Sequence, residues 1–295
     1  MGISLACTGD IADGRAHFDR VIAIYDPAEH RSLTTRFSVD TGVSVLCYRS
    51  WALWFLGYPE AALRDAEHAL KDARDIGQAA TLMYALGHVS STHFECGNYA
   101  TANLVVDELV ALADEKGSLF WKAWGMARQG QFFALTGKAA DAVDMLTSGI
   151  AAWRSTGSTM LMPSWLSSLS RAYADVGKFD HAWRCIGEAI AAIESTKERW
   201  WEAEVNRTAG EIARLSPEPD AARSEKYFGR AITVAREQQA RSLELRAAMS
   251  MARLWRDQGK RDEARNLLAP VYSWFTEGFE TLDLREAKAL LDNLA

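Results

Sequence analysis

The stretch DVGKFDHAWRCIGEAI, residues 175–190, carries the constraint that most limits what this chain can fold into. Gly177 is followed by Phe179 two residues on, Ala182 five on and Ala189 twelve on. The offsets recur: Gly57 with Ala62 and Ala69, Gly97 with Tyr99, Ala102 and Leu109, Gly137 with Ala139, Ala142 and Gly149, Gly259 with Ala264 and Val271. The glycines at 57, 97, 137 and 177 are spaced forty residues apart, and the interval from 177 to 259 has room for two units. The missing member falls in the turn SPEPD, residues 216–220. A second series, Gly77, Gly117 and Gly157, keeps the same period, and a small residue stands seven before each first-series glycine: Ser50, Ser90, Gly130, Ser170 and Ala252. Self-similarity at a fixed period of this length is the signature of a stacked array.

Between the glycines, apolar residues recur with helical spacing, as in Ala182, Cys185, Ile186, Ala189, Ile190 and Ile193. Each unit therefore reads as helix A, a tight turn at the first glycine, helix B, and a turn at the second. Glycine ends a helix in the left-handed conformation without steric cost. The small residues let the two helices approach closely, and the aromatic two past the glycine wedges the corner. A helix pair cannot bury its own apolar face, so units must stack. The expectation is one all-α domain over 1–295, an α-solenoid of antiparallel helix pairs. Its units lie near 1–26, 41–76, 81–116, 121–156, 161–196, 200–239 and 243–276. A capping helix is expected at 283–294, with Asp283 as its cap and Glu286 completing a capping box. Gly9 also sits at a corner position, with only half a helix before it, so the chain reads as starting inside a repeat: a fragment of a longer polypeptide, a shortened gene product or a poorly placed start.

The totals exclude several classes. Net charge is −6, against the basic footprint of a nucleic-acid binder. No stretch of about 18 apolar residues suits a membrane span, and the start MGISLACTGD has no basic residue for a signal peptide. The four cysteines, Cys7, Cys47, Cys96 and Cys185, form no C-x-x-C pair and read as small core side chains in a reduced, cytosolic compartment.

Gly-x-aromatic-x-x-Ala with a second alanine seven later resembles the tetratricopeptide repeat, whose usual period is about 34. Residues 200–295, from WWEAEVNRTAGEIARL to TLDLREAKALL, and the segment HFDRVIAIYDPAEHR near residue 17 are similar to the C-terminal repeat region of large bacterial signalling proteins. In those proteins a class III adenylate or guanylate cyclase domain and a STAND-type ATPase precede the repeats. The resemblance implies a regulatory part that senses a protein or ligand, and it confers no catalysis on this chain.

Motifs for chemistry are absent. The Gly-Lys pairs at 137, 177 and 259 lack the upstream glycine and following Ser or Thr of a phosphate loop. His88, His93 and Cys96 do not converge as a zinc site needs, and Glu198, Glu202, Glu204 and Glu211 alternate with arginines as on a solvated helix face. No catalytic residue, cofactor or metal ligand is assigned.

The eleven tryptophans concentrate in the A helices. In the tetratricopeptide family the A-helix positions thirteen, ten, six, three and two before the glycine line a concave groove. Carried over, the early units supply Cys47, Trp51, Trp54, Phe55, Tyr84, Phe94 and Trp124. The later ones supply Arg171, Glu204, Arg207, Glu211, Arg214, Arg246, Arg253 and Arg256. Two readings stand. The groove holds an extended peptide or helix, aromatic anchors at one end and acidic groups on the arginines; or the tryptophans are inter-repeat core and the arginines pair with Glu211 and Asp257. The function expected is a non-enzymatic scaffold for protein interaction or regulation in a bacterial signalling system, its partner a protein or peptide with acidic groups, or its own preceding catalytic domains. The alternative is a small-molecule sensor with an apolar ligand among Trp51, Trp54 and Phe94.

Overall fold

The computed structural model describes residues 1–295, the side chains of Leu33 and Thr35 excepted, and contains helices and turns but no strand among the described residues. The chain is an α-solenoid of helix pairs. Helices α1 (Gly2–Thr8) and α2 (Ile11–Ile24) form a first pair, followed by two single turns, α3 (Pro27–His30) and α4 (Thr34–Phe37). Five pairs follow in order: α5 (Thr41–Phe55) with α6 (Pro59–Ile76), α7 (Ala79–Glu95) with α8 (Tyr99–Glu115), α9 (Leu119–Leu135) with α10 (Ala139–Ser155), α11 (Met162–Asp175) with α12 (Phe179–Thr196), and α13 (Glu202–Leu215) with α14 (Ala221–Glu237). The stack ends in α15 (Arg241–Asp257), α16 (Arg261–Ser273) and a lone α17 (Leu282–Asn293). None of these helices is long and apolar enough to cross a membrane.

The corners behave as helix stops of one kind. Gly57, Gly97, Gly137, Gly177 and Gly259 have φ between 75° and 90°. The residue after each donates back to the carbonyl five before it, as Lys178 does to Tyr173 at 2.8 Å, the hydrogen bond that closes a left-handed helix end. The alanines five past the corner (62, 102, 142, 182 and 264) are fully buried. At Gly149, twelve past a corner, an added Cβ would stand 2.7 Å from the Ala127 backbone nitrogen, so the approach of α10 to α9 excludes any side chain. Tyr99 meets the edge of Phe132 in the next unit at 6.5 Å, wedging the corner.

The second turn series continues where the glycines stop. Lys197 and Gln239 take the left-handed conformation at φ 62° and 55°, the first in register with Gly77, Gly117 and Gly157 and the second two residues beyond it. The turn at 216–220 uses a different device: Ser216 leaves the helix extended, and the Asp220 side chain accepts from the Arg223 amide to start α14.

The C-terminal cap differs from the expectation. Thr281 is the N-cap residue of α17, and Asp283 lies inside the first turn, where its carboxylate accepts from Arg246 Nε at 2.7 Å. Glu286 accepts from Arg253 instead of reaching back to the cap.

The core is aromatic and crosses the superhelix axis. Trp51 of α5 lies within 6.1 Å of Trp124 of α9 and 5.4 Å of Trp200 ahead of α13. Trp124, Trp153 and Trp165 continue the cluster. His88 of α7 is buried in this cluster, 4.2 Å from the Tyr84 ring and 4.8 Å from Trp51. Its Nδ1 pairs with the Tyr84 carbonyl and its Nε2 has no partner among the described residues. Burial pushes the imidazole down to about 4, the backbone contact opposing in part.

Two outcomes follow. Gln239→Gly relieves a left-handed side chain and is expected to raise urea stability by about 1 kcal/mol; an unchanged midpoint would show the strain to be negligible. The second concerns His88. An unfolded histidine takes up a proton below about pH 6.5 while the folded one resists until about 4. Stability is therefore full above pH 6.5 and falls with pH below it, on the order of 2 kcal/mol between pH 8 and 5. Urea melts of His88→Phe should lose that part of the acid limb; superimposable limbs would clear His88 as its source.

Candidate functional site

The α5–α7 part of the array meets its C-terminal end. The α6 N-terminus and the loop before α17 cap one another: Glu277 accepts from the Ala61 amide at 2.9 Å and Glu60 from the Gly278 amide at 2.8 Å. Corners that would otherwise face outward are covered here. A Cβ on Gly57 would lie 2.5 Å from the Trp274 ring, and one on Gly97 2.5 Å from Leu282. Ser242 at the start of α15 donates to the Trp54 carbonyl.

Arg246 of α15 locks the closure. Its guanidinium donates to Glu95 Oε2 at 2.9 Å, to the Glu95 carbonyl at 2.9 Å and to Asp283 at 2.7 Å, and it lies 4.8 Å over the Trp54 ring. One side chain so joins α7, α15, α17 and the α5 aromatic layer. Burial pushes Glu95 and Asp283 up, with Arg246 pulling both back.

Closure leaves one large cleft on the axis, about 440 Å³, walled by A helices α7, α9, α11, α13 and α15 and by the start of α17. Its lining follows the repeat. The positions six, three and two before Gly137 supply Gln131, Ala134 and Leu135. The positions three and two before Gly97 supply Phe94 and Glu95, and those thirteen, ten, six and two before Gly177 supply Ser164, Ser167, Arg171 and Asp175.

The named groove residues divide. Phe94, Arg171, Arg207, Arg246 and Arg253 line the cleft together. Trp51, Trp54, Phe55 and Trp124 are buried in one cluster with Trp200 and Trp201, because the closed axis turns that part of the concave face into core, and Cys47 is buried in a separate cluster with Val43, Leu46, Ala69, Ala73 and Ala85. Tyr84 is half-buried against His88. Arg214 pairs with Glu211 at 3.0 Å and Arg256 with Asp257 at 2.8 Å, both outside the lining.

The cleft holds more carboxylates than cations. Four arginines (171, 207, 246 and 253) face six carboxylates, Glu95, Asp175, Glu204, Glu211, Asp283 and Glu286. Every one of the four is paired: Arg171 with Asp175, Arg207 with Glu204, Arg253 with Glu286 and Arg246 as described. Burial works to push Glu204 and Glu211 up, and Arg207 more than offsets it, so both lie below the usual carboxylate range. No group of three or more metal-ligating side chains occurs among the described residues.

Glu95, Gln131 and Trp201 were not singled out from sequence, nor was the buried Arg128 beside them. Glu95 and Gln131 occupy groove positions of the repeat and were legible from it. Trp201 comes from the turn ahead of α13 and Arg128 from an off-groove position, so only the closed fold brings them in.

No protein-family model matches the chain, and no curated protein sequence does. Solved structures do. A Rap protein complexed with competence and sporulation factor is 12% identical, with a TM-score of 0.66 over 100% of this chain and 74% of that one. The apo form of RapI is 10% identical, with a TM-score of 0.59 over 99% of this chain and 96% of that one. The likeness shows the fold, a tetratricopeptide-like helical array.

Arg246→Met would leave Glu95 and Asp283 buried without their cation, an expected loss of about 3 kcal/mol, with a larger radius of gyration by small-angle scattering as the two parts separate. An unchanged radius together with unchanged stability would remove Arg246 as the lock.

Proposed function

We propose that the chain is a non-enzymatic helical-repeat scaffold that holds an extended peptide segment of a regulatory partner in the axial cleft. The observation that carries this is the cleft itself: about 440 Å³, built from the inward positions of five successive A helices, with polar and charged side chains along its length. A rigid, preformed groove lined by arginine, carboxylate and a few aromatics suits a chain with backbone amides and charged side chains more than it suits a compact apolar molecule. The Rap protein, complexed with competence and sporulation factor, supports a binding role for this fold.

The sensor reading, an apolar ligand among Trp51, Trp54 and Phe94, has less support: the recess against Trp51 and Trp54 measures about 10 Å³, room for one water-sized group. The setting in a bacterial cyclase and ATPase signalling protein rests on the sequence resemblance of residues 200–295 and makes preceding catalytic domains of the same polypeptide one candidate partner.

A carboxylate on the partner has to displace an existing carboxylate from an arginine. Of the four cleft arginines, Arg171 and Arg253 are the easiest to re-pair, since each holds one carboxylate partner, Asp175 and Glu286, and both are partly exposed. Alanine at both is expected to weaken binding of an acidic heptapeptide about fivefold at low salt, and less at high salt. Equal affinity in a fluorescence-anisotropy titration would remove this pair from the site.

A further inference from the structure

Beneath the cleft lies a recess of about 10 Å³, lined by Arg128 and by Glu95, Ser164 and Trp201, the last three of which also line the cleft. Arg128 is 3% exposed. Its Nη2 donates to Ser91 Oγ at 2.7 Å and its guanidinium lies 4.8 Å over the Phe94 ring. The nearest carboxylate oxygen, on Glu95, is 3.8 Å from Nη1, too far for a hydrogen bond, and the other oxygen of that carboxylate is engaged by Arg246. Nε and Nη1 of Arg128 have no hydrogen-bond acceptor among the described residues, nor has Nε1 of Trp201. Burial pushes the guanidinium down to about 10, Glu95 opposing, which leaves it a cation at neutral pH.

Buried donors without acceptors are costly and uncommon. The missing complement is specific. All three orphan atoms donate, so the group that completes them must accept; an ammonium or guanidinium is excluded. A water brings as many donors as acceptors. The recess admits one oxygen at a time, and a guanidinium prefers a carboxylate.

We propose that the Arg128 recess is a subsite that receives a carboxylate of the ligand held in the cleft, one oxygen entering between Trp201 and Ser164 and the other remaining in the cleft. This deepens the peptide-groove reading and rests on it for the ligand's path. The carboxylate is either a peptide C-terminus or an Asp or Glu side chain. The subsite is distinct from Arg171 and Arg253: its cation is short of partners rather than already paired.

The test uses the full chain with ¹⁵N-labelled arginine and tryptophan, titrated with sodium acetate and, separately, with sodium chloride and acetamide. Acetate should move the Arg128 Nε–H and Trp201 Nε1–H resonances saturably, while chloride and acetamide should not. In Arg128→Met the Trp201 response should vanish. Equal response to chloride or acetamide, or a Trp201 shift that survives Arg128→Met, would overturn the subsite. If that variant does not fold, the comparison of acetate with acetamide on the native chain decides.

A second arm measures retention of randomised heptapeptide mixtures by the native chain. C-terminal amidation should lower retention tenfold or more if the terminus is the source, and omission of Asp and Glu should do so if a side chain is. If peptides bind and neither change matters, the subsite is wrong and the groove stands. If acetate binds and no mixture is retained, the groove reading fails and the carboxylate site stands.

Discussion

Arg246 holds together what the periodicity of the chain leaves separate. A helical array with a constant turn per unit leaves its first and last members free. Here a guanidinium at the start of the last pair reaches the end of α7, 151 positions away in sequence, and the first turn of α17. The contact is electrostatic, but its geometry is set by packing. Trp54 supplies the surface beneath it, and the corners at Gly57 and Gly97 are bare enough for Trp274 and Leu282 to settle on them. Once the two parts meet, the inner face of the early units has no solvent left to line. Trp51, Trp54, Phe55 and Trp124 pack across the axis, and a cleft remains open among the later A helices.

This explains which features were legible in the sequence. Helix order, corner conformation and the buried alanines follow from local chemistry repeated every forty residues, and local chemistry is written in adjacent positions. The inward-facing positions were legible for the same reason, since they are offsets from a corner. Which of them would be open was not. That depends on the accumulated rotation of several units, a property of no single repeat, so the aromatic half of the expected groove is core and the polar half is cleft. The misplaced cap of α17 has the same origin. Asp283 has the residue type and position of a helix cap, and a partner 37 residues away, Arg246, takes its carboxylate instead.

Two non-glycine residues at the turn positions make a related point. Lys197 and Gln239 adopt the backbone conformation that glycine marks elsewhere, which shows that the period of the fold is imposed by packing between units and merely eased by glycine. The second glycine series stops at Gly157 while left-handed turns continue at Lys197 and Gln239.

The reciprocal contact between the α6 N-terminus and the Glu277–Gly278 loop carries a consequence for how such a chain can change. An open array tolerates the gain or loss of a unit, because each member answers only to its neighbours. Here Glu60 finds Gly278 only because the units between them bring the chain round to meet itself. Insertion or deletion of one forty-residue unit would carry the two carboxylates past their amides. Closure therefore counts the repeats, and a fold that looks modular in one dimension behaves as a single indivisible body in three.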